Sequence, residues 1–336
     1  MKTRILITGG AGFAGSHVVN HFLKNTDYEI VVLDRLNYAS MGLDRLRDID
    51  CFSEDRVKVF TADITKPIVD GLYQEIGPIN YIIHMAAESH VDNSITDPEP
   101  FVMSNVVGTM HVLNFARRQK EEGNLNLFIY FSTDEVFGPA PEGVFYKEND
   151  RYNSGNPYAA TKAGAEELCI AYENTYKIPL IVTHTMNIFG ERQHPEKFIP
   201  KVMRAVMNDE IVYIHSNKEK TEAGKRHWIH GRNVAHALEF LLNIDPVHSG
   251  EKFNIVGEKE VDNLTMALTI AGIMGKELKY EMVDFHSSRP GHDLRYALDG
   301  TKMREMGWNI PVGFEESLKK TIEWTLARPE WLEIKK

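Results

Sequence analysis

Ile5-Leu6-Ile7-Thr8-Gly9-Gly10-Ala11-Gly12-Phe13-Ala14-Gly15 runs from apolar β-type residues through a cluster of glycines into a helix-forming segment. Gly10, Gly12 and Gly15 satisfy a GxGxxG spacing, and Gly9, Gly12 and Gly15 equally satisfy GxxGxxG. Glycine is needed where a pyrophosphate must approach the backbone closely at the positive end of a helix. A glycine triplet can also be no more than a tight turn, so its surroundings carry weight. Here a strand precedes it, a helix follows it, and an acid, Asp34, stands 19 residues after Gly15 (34 − 15) at the end of the next apolar run. A carboxylate there accepts hydrogen bonds from ribose hydroxyls and repels a 2′-phosphate, which favours NAD over NADP. Arg35 follows directly and could instead meet a phosphate; Asp63, at the end of a third apolar run, reads either as a contact to the adenine edge or as a loop cap.

Working outward, Arg4 to Ile7, Glu29 to Leu33, Val57 to Phe60, Tyr81 to His84 and Leu127 to Phe131 read as short strands. Their apolar residues are largely continuous rather than alternating, as in strands covered on both faces. Gly15 to Lys24 and Val102 to Arg118 lie between them with helical spacing of apolar residues. The alternation predicts an α/β fold with a doubly wound parallel sheet of Rossmann type. Beyond about residue 190 the pattern changes to amphipathic helices at Glu196 to Asn208, Leu264 to Met274 and Phe314 to Leu326. That change predicts a smaller, interleaved C-terminal substrate domain. Ser216 to Arg226 is polar and reads as an exposed loop.

Composition bounds the function. The 336 residues hold 38 Lys plus Arg against 48 Asp plus Glu, a formal net charge of −10, which does not support a nucleic-acid footprint. No apolar run approaches the ~20 residues of a membrane-spanning helix. The glycine turn is reached by Gly9, leaving no room before it for the apolar core of a signal peptide. With two cysteines, Cys51 and Cys169, no disulfide framework is expected, and a cytoplasmic setting follows. The 14 histidines show no HExxH arrangement, so no metal is expected.

Two further groups carry chemistry. Tyr158 and Lys162 lie four apart after Asn156-Pro157, which places them on one face of a helix that Pro157 can start. A tyrosine acting as a base near neutral pH needs its pKa lowered by about 3 units, roughly 4 kcal/mol, and a nearby lysine and a nicotinamide cation can supply that. A surface pair of this spacing is also common. Ser132-Thr133-Asp134-Glu135-Val136 ends the fifth apolar run with a hydroxyl and two adjacent carboxyls. Adjacent strand residues face opposite sides, so the two acids can act together only if the strand has ended and the chain has turned. An acid-rich, solvated turn is the alternative.

Taken in order, the glycine fingerprint, Asp34, Ala87-Glu88-Ser89-His90-Val91-Asp92, the Thr133-Asp134-Glu135 run, Tyr158xxxLys162, Arg192-Gln193-His194-Pro195-Glu196-Lys197 and Arg289-Pro290-Gly291-His292-Asp293 resemble the nucleotide-sugar 4,6-dehydratases. The similarity is greatest to those acting on dTDP-glucose, within the extended short-chain dehydrogenase/reductase superfamily, and covers residue 1 to about 326. The resemblance implies bound NAD held by Gly9, Gly12, Phe13, Ala14, Gly15, Asp34, Asp63, Ile64, Ala86, Tyr158 and Lys162. It implies oxidation at C4 by Tyr158 with Thr133, removal of the C5 proton by Glu135, loss of the 6-hydroxyl as water with Asp134 as acid, and hydride return to C6. It places Ser89, Asn187, Glu196, Lys197, Arg226, Asn254, Arg289 and Tyr296 against a nucleotide-sugar partner, in a protein expected to be a homodimer.

The resemblance also implies a division: residues 1–185 bind NAD, with a return segment at about 226–250, while 186–225 and 251–330 bind the nucleotide sugar. Asn187-Ile188-Phe189-Gly190, Arg226-His227-Trp228 and the long His215 to Lys225 stretch depart from the family pattern near the expected base pocket. Both dTDP-glucose and a UDP-sugar therefore stay open as substrates. A 4-epimerase or decarboxylase using the same tyrosine, and a catalytically silent NAD sensor, are the competing readings.

Overall fold

The computed structural model describes residues 2–244, 249–284 and 295–333. Six strands in chain order, β1 (Arg4–Thr8), β2 (Glu29–Asp34), β3 (Val57–Thr61), β4 (Tyr81–His84), β5 (Leu127–Thr133) and β6 (Leu180–Thr185), build one parallel sheet. Three further strands, β7 (Asn187–Phe189), β8 (Val212–Ser216) and β9 (Lys225–His230), precede the seventh member of that sheet, β10 (Lys252–Ile255). The spatial order is β10-β6-β5-β4-β1-β2-β3, with the reversal beside β1 that marks a doubly wound sheet. Ligands bind at such a switch point, beyond the strand C-termini.

Side-chain alternation divides the core. Ile5 and Ile7 of β1 face Val18, Val19 and Phe22 of helix α1 (Phe13–Asn25) and Val234, Leu238 and Leu241 of the Gly231–Leu242 helix. Leu6 points the other way, into a layer with Val112, Leu113, Phe128, Ala165 and Cys169. That second layer is closed by the Gly108–Glu121 and Pro157–Tyr176 helices. Strands β1, β2, β5 and β6 are almost wholly buried, while the edge strand β3 is half exposed, which accounts for continuous apolar runs in the first group.

The smaller lobe has its own core of Phe189, Met203, Ile214, Trp228, Ile270, Leu318 and Ile322. Strand β9 joins β7 and β11 (Glu260–Asp262) in one small sheet, and β8 pairs with β12 (Tyr280–Asp284) in another. Two segments differ from the sequence expectation. Leu180–Thr185, not read as a strand, is the fully buried neighbour of β5. Residues 252–255, expected in the substrate domain, pair with β6 in the cofactor sheet. Leu180-Ile181-Val182-Thr183 does carry a local strand signal in its β-branched apolar run, whereas residues 252–255 rest on a pairing far apart in sequence, for which local pattern offers none. Of the expected exposed loop, Ser216 is the buried end of β8, residues 218–222 are exposed, and Lys225 and Arg226 begin β9.

Candidate active site

The C-terminal ends of the central strands open onto a cavity of about 440 Å³ lined along one side by Gly9, Gly12, Phe13, Ala14, Gly15, Asp34, Ile64 and Ala86. Gly9 has φ +71° and donates its N–H to the Leu33 carbonyl at 2.8 Å. A Cβ at Gly15 would lie 2.1 Å from the Gly9 carbonyl oxygen, so only glycine permits the turn. Helix α1 starts from Gly12 with no side-chain cap and no acid in its first turn, which leaves its N-terminus suited to an anion. Asp34 accepts the N–H groups of Ala11 at 3.0 Å and Leu36 at 2.8 Å. Burial raises its pKa against those bonds. These features fit the adenosine diphosphate half of a dinucleotide.

Arg35 is not a waiting phosphate ligand: it is paired with the buried Glu88 carboxylate. Glu88 is fixed in turn, its N–H donating to Asn105 Oδ1 at 2.8 Å while Asn105 Nδ2 donates to the Glu88 carbonyl and to Thr161 Oγ1. Asn105 sits in a wide π-type turn at Val102–Val107, a distortion common at functional sites. Asp63 is exposed and accepts the Thr65 N–H at 2.9 Å, the loop-capping arrangement, while its neighbours Ala62 and Ile64 line the cavity.

At the other end of the cavity, β5 ends at Thr133 and the chain turns at once into a 3-10 turn over Asp134–Phe137. The condition for joint action of two adjacent acids is thereby met. Thr133 Oγ1 donates to Asp134 Oδ1 at 3.1 Å. Asp134 is 4% exposed, and its Oδ2 has no hydrogen-bond partner. Burial and the adjacent Glu135 push its carboxyl up to about 7, against the pull of Arg226 and Thr133. Glu135 is less buried and accepts from Asn156 Nδ2 at 2.9 Å. Asn156 also caps the Pro157–Tyr176 helix, its Oδ1 accepting the Ala159 N–H at 2.8 Å. One asparagine thus holds the base candidate and the start of the reactive helix together.

Tyr158 is buried against Phe101. Burial and the Glu135 and Asp134 carboxyls hold its phenol above the ordinary value, with a Thr133 hydrogen bond opposing them. Lys162 donates to the Phe131 carbonyl at 2.7 Å, and its Nζ lies 4.4 Å from the Tyr130 ring centre. Burial brings its ammonium down to about 8, and Glu166 opposes the fall. Beneath it His84, bonded to Thr8 at 2.6 Å and Thr109 at 3.0 Å, is pulled down to about 3 by burial and the Lys162 charge.

Ser89, Asn187, Glu196 and Lys197 line the cavity, with Trp228 beside them. Arg226 lies over the buried Tyr296 ring at 4.6 Å, and its charge acts on Asp134. Asn254 is not brought to the cavity. It is fully buried, donating to the Tyr146 and Asp299 carbonyls at 3.0 Å each and facing His184 across 3.0 Å, so it secures β10 rather than meeting a ligand. Arg289 lies outside the described residues. The sequence reading missed Asn156 and Glu88 as supports; an Asn directly before a helix-starting Pro was the available signal for the first.

Among the described residues, His17, Glu191 and His230 bring metal-ligand atoms within 4.8 Å of one another. His230 Nδ1, however, accepts the Arg232 N–H at 3.0 Å, and Nε2 stands 3.1 Å from Glu191 Oε2. With the Nδ1 lone pair engaged, Nε2 carries the proton and has no lone pair for a metal. The cluster fastens the chain after Gly190 against α1.

Comparison with known proteins agrees with this geometry. The family described as GDP-mannose 4,6 dehydratase matches residues 6–321. The dTDP-glucose 4,6-dehydratase of Escherichia coli is 37% identical over 350 residues, spanning 98% of this chain and 94% of that one. A trifunctional UDP-glucose 4,6-dehydratase, epimerase and reductase of Arabidopsis thaliana is 37% identical over 97% of this chain and 48% of its own length. The solved dTDP-glucose 4,6-dehydratase DesIV of Streptomyces venezuelae, with NAD bound, superposes with a TM-score of 0.88 at 31% identity, covering 99% of this chain and 100% of the other.

Proposed function

Because the chain belongs to the GDP-mannose 4,6-dehydratase family, we propose that it is an NAD-dependent hydro-lyase converting a nucleotide diphosphate hexose, dTDP-glucose or a UDP-sugar, to its 4-keto-6-deoxy form. The observation that carries the reading is the unequal pair at the end of β5. Asp134 is buried, with one carboxyl oxygen unpartnered and its pKa near 7, whereas Glu135 is more open and anchored by Asn156. Removal of a proton at C5 and departure of a 6-hydroxyl call for a base and an acid side by side in unlike surroundings. An epimerase has no use for that pair.

The Gly9–Gly15 turn, Asp34, Ile64 and Ala86 would hold the adenosine and pyrophosphate of NAD, and Tyr158 and Lys162 the nicotinamide end. Bound there, NAD supplies a hydride acceptor for C4 and a hydride donor for C6. Tyr158 Oη takes the proton of the 4-hydroxyl, and Thr133 Oγ1 holds the same oxygen. The phenol reaches its basic form only with cations at its face, because burial and two carboxyls otherwise keep it protonated. Glu135 removes the C5 proton, and protonated Asp134 gives its proton to the 6-oxygen, which departs as water. Asn187, Glu196, Lys197, Arg226 and Ser89 contact the nucleotide sugar, with the Arg226 guanidinium forking onto the diphosphate and the Lys197 ammonium meeting it as a point charge.

The same reading makes the protein a cytoplasmic homodimer that pairs through the helices beginning near Phe101 and Pro157. The exposed Val102 and Ile95 beside those helices support it, and no described helix is long and apolar enough to cross a membrane. Mass spectrometry of dTDP-glucose and UDP-glucose incubated with the NAD-loaded protein tests the reaction. Loss of one water is expected from at least one donor. An isomer of unchanged mass, or no product from any donor, overturns the reading.

A further inference from the structure

Below the reacting groups lies a cluster of buried polar side chains that the reaction does not consume. Glu166 is fully buried, one helical turn beyond Lys162 on the Pro157–Tyr176 helix. Its Oε1 accepts from Ser132, the residue before Thr133, and its Oε2 accepts from Tyr152. His184 Nε2 of β6 lies 3.1 Å from the same carboxylate and Lys252 Nζ of β10 lies 3.8 Å away, with Lys252 also donating to Tyr152. Three strands and the reactive helix therefore meet at one carboxylate.

Burial alone would raise the Glu166 carboxyl, but His184, Ser132 and Tyr152 outweigh it and hold it below its ordinary value. It stays ionised through the working range. A negative charge with no water around it acts strongly on neighbours. Tyr158 lies one turn before Lys162 on the same helix; the groups that act on or touch Lys162 are Glu166 and Cys169 from that helix, the low-pKa His84 from β4, and the Tyr130 ring and Phe131 carbonyl from β5. Of these only Glu166 is an anion through neutral pH.

We propose that Glu166 is a positioning residue for the oxidation at C4: buried one helical turn beyond Lys162, it is the counter-charge to that ammonium, and through Ser132 it holds the strand carrying Thr133 to the helix carrying Tyr158. The proposal rests on the dehydratase reading. Its consequence is specific to one step, because Lys162 serves Tyr158 and not the acid Asp134.

The test isolates that step with dTDP-xylose or UDP-xylose, nucleotide pentoses that lack C6 and so can be oxidised at C4 but cannot lose water. Reduction of bound NAD is followed at 340 nm against pH, in parallel with NAD affinity by protein fluorescence and with thermal melting. Glu166→Gln keeps the shape and removes the charge. It is expected to move the alkaline limb of the oxidation rate acidward by about one pH unit and so to slow the rate at pH 8 about fivefold, with KM within about threefold. Glu166→Asp restores the limb. Lys252→Met, which removes a competing cation from Glu166, moves it the other way and carries the test should Glu166→Gln not fold. A melting temperature lowered by Glu166→Gln with the limb unmoved overturns the proposal, as does an unmoved limb in Lys252→Met when Glu166→Gln is not recovered. Absence of both 340 nm signal and water loss in the unsubstituted protein overturns the dehydratase reading, and the proposal with it.

Discussion

The two ends of the cavity are built from different materials. The cofactor end is main chain: Gly9 bonds Leu33, Gly12 bonds Gly9, and Asp34 is already occupied by the N–H groups of Ala11 and Leu36. The reacting end is side chain: Asp134 carries an oxygen without a partner, Tyr158 is held protonated, and Lys162 is brought down to about 8. The first end is held in shape by its own backbone before a ligand arrives, with the α1 N-terminus left open to an anion. The second holds ionisable groups away from their ordinary states, at a cost to stability that the rest of the fold offsets. Substitutions should therefore separate binding from chemistry according to the end they touch.

Tyr158→Phe gives the largest separation. It removes one oxygen from the reacting end and leaves the glycine turn untouched. Turnover is expected to fall about 10²–10⁴-fold, the range lost with a proton-transferring group, while NAD affinity stays within about threefold. Steady-state rates and a fluorescence titration of NAD check both halves. Comparable losses in both would mean that the two ends are not separable.

Gly15→Ala makes the complementary break. The added Cβ would lie 2.1 Å from the Gly9 carbonyl oxygen and 2.8 Å from Gly10 Cα, and neither is a flexible side-chain end. The turn must open, and NAD affinity is expected to fall about 100-fold or more, near 2.7 kcal/mol. Gly12→Ala, at 3.0 Å from the same oxygen, should lose less. The pair of affinities, measured by titration, grades how much the pyrophosphate depends on the turn.

The contrast also explains what could be read from sequence. The glycine turn and Asp34 of the cofactor end lie within residues 5–34, and the backbone chemistry of glycine and an acid at a strand end leaves a local signature. Tyr158 and Lys162 are similarly local, one helix face four residues apart. Asn156 gripping Glu135, Arg35 neutralised by Glu88, and Glu166 drawing Ser132, His184 and Lys252 together depend on contacts made only after the sheet has formed. The burial of Asn254 has the same origin, since β10 reaches β6 from a distant part of the chain. Local chemistry was legible; long-range pairing was not.

Asp134→Asn asks what the reacting end costs the fold. In the unfolded chain this carboxyl titrates near its ordinary 3.8, and in the folded protein near 7. Below the lower value both states are protonated and the group is neutral toward folding. As pH rises toward 7 the unfolded chain gives up its proton while the folded one retains it, so stability falls, and the full loss is present above about 7. Asn removes that loss. The variant is expected to be more stable than the unsubstituted protein by about 1–3 kcal/mol at pH 8, part of the gain being offset by an amide with unsatisfied groups. The gain should shrink toward pH 4–5. Urea unfolding at several pH values reads it, and a variant less stable at pH 8 would show that Asp134 is not held at a cost.

The smallest expected effect tests whether the nucleotide side belongs to either end. Arg226 donates to the Lys225 carbonyl at 2.7 Å and lies over Tyr296, while its charge lowers the Asp134 carboxyl. If it also forks onto the diphosphate, Arg226→Leu should raise KM for the nucleotide sugar about tenfold, the loss of a charge-assisted bond. With the cation gone, Asp134 should keep its proton to higher pH, so the alkaline limb of water loss moves upward even as KM worsens. Arg226→Lys separates the two roles: charge is kept and the fork is lost, so KM rises while the limb stays in place. A limb that does not move in Arg226→Leu would confine Arg226 to ligand binding. A limb that moves would mean that the group meeting the nucleotide also sets the protonation of the acid, so that substrate occupancy and the reacting end are coupled through one guanidinium.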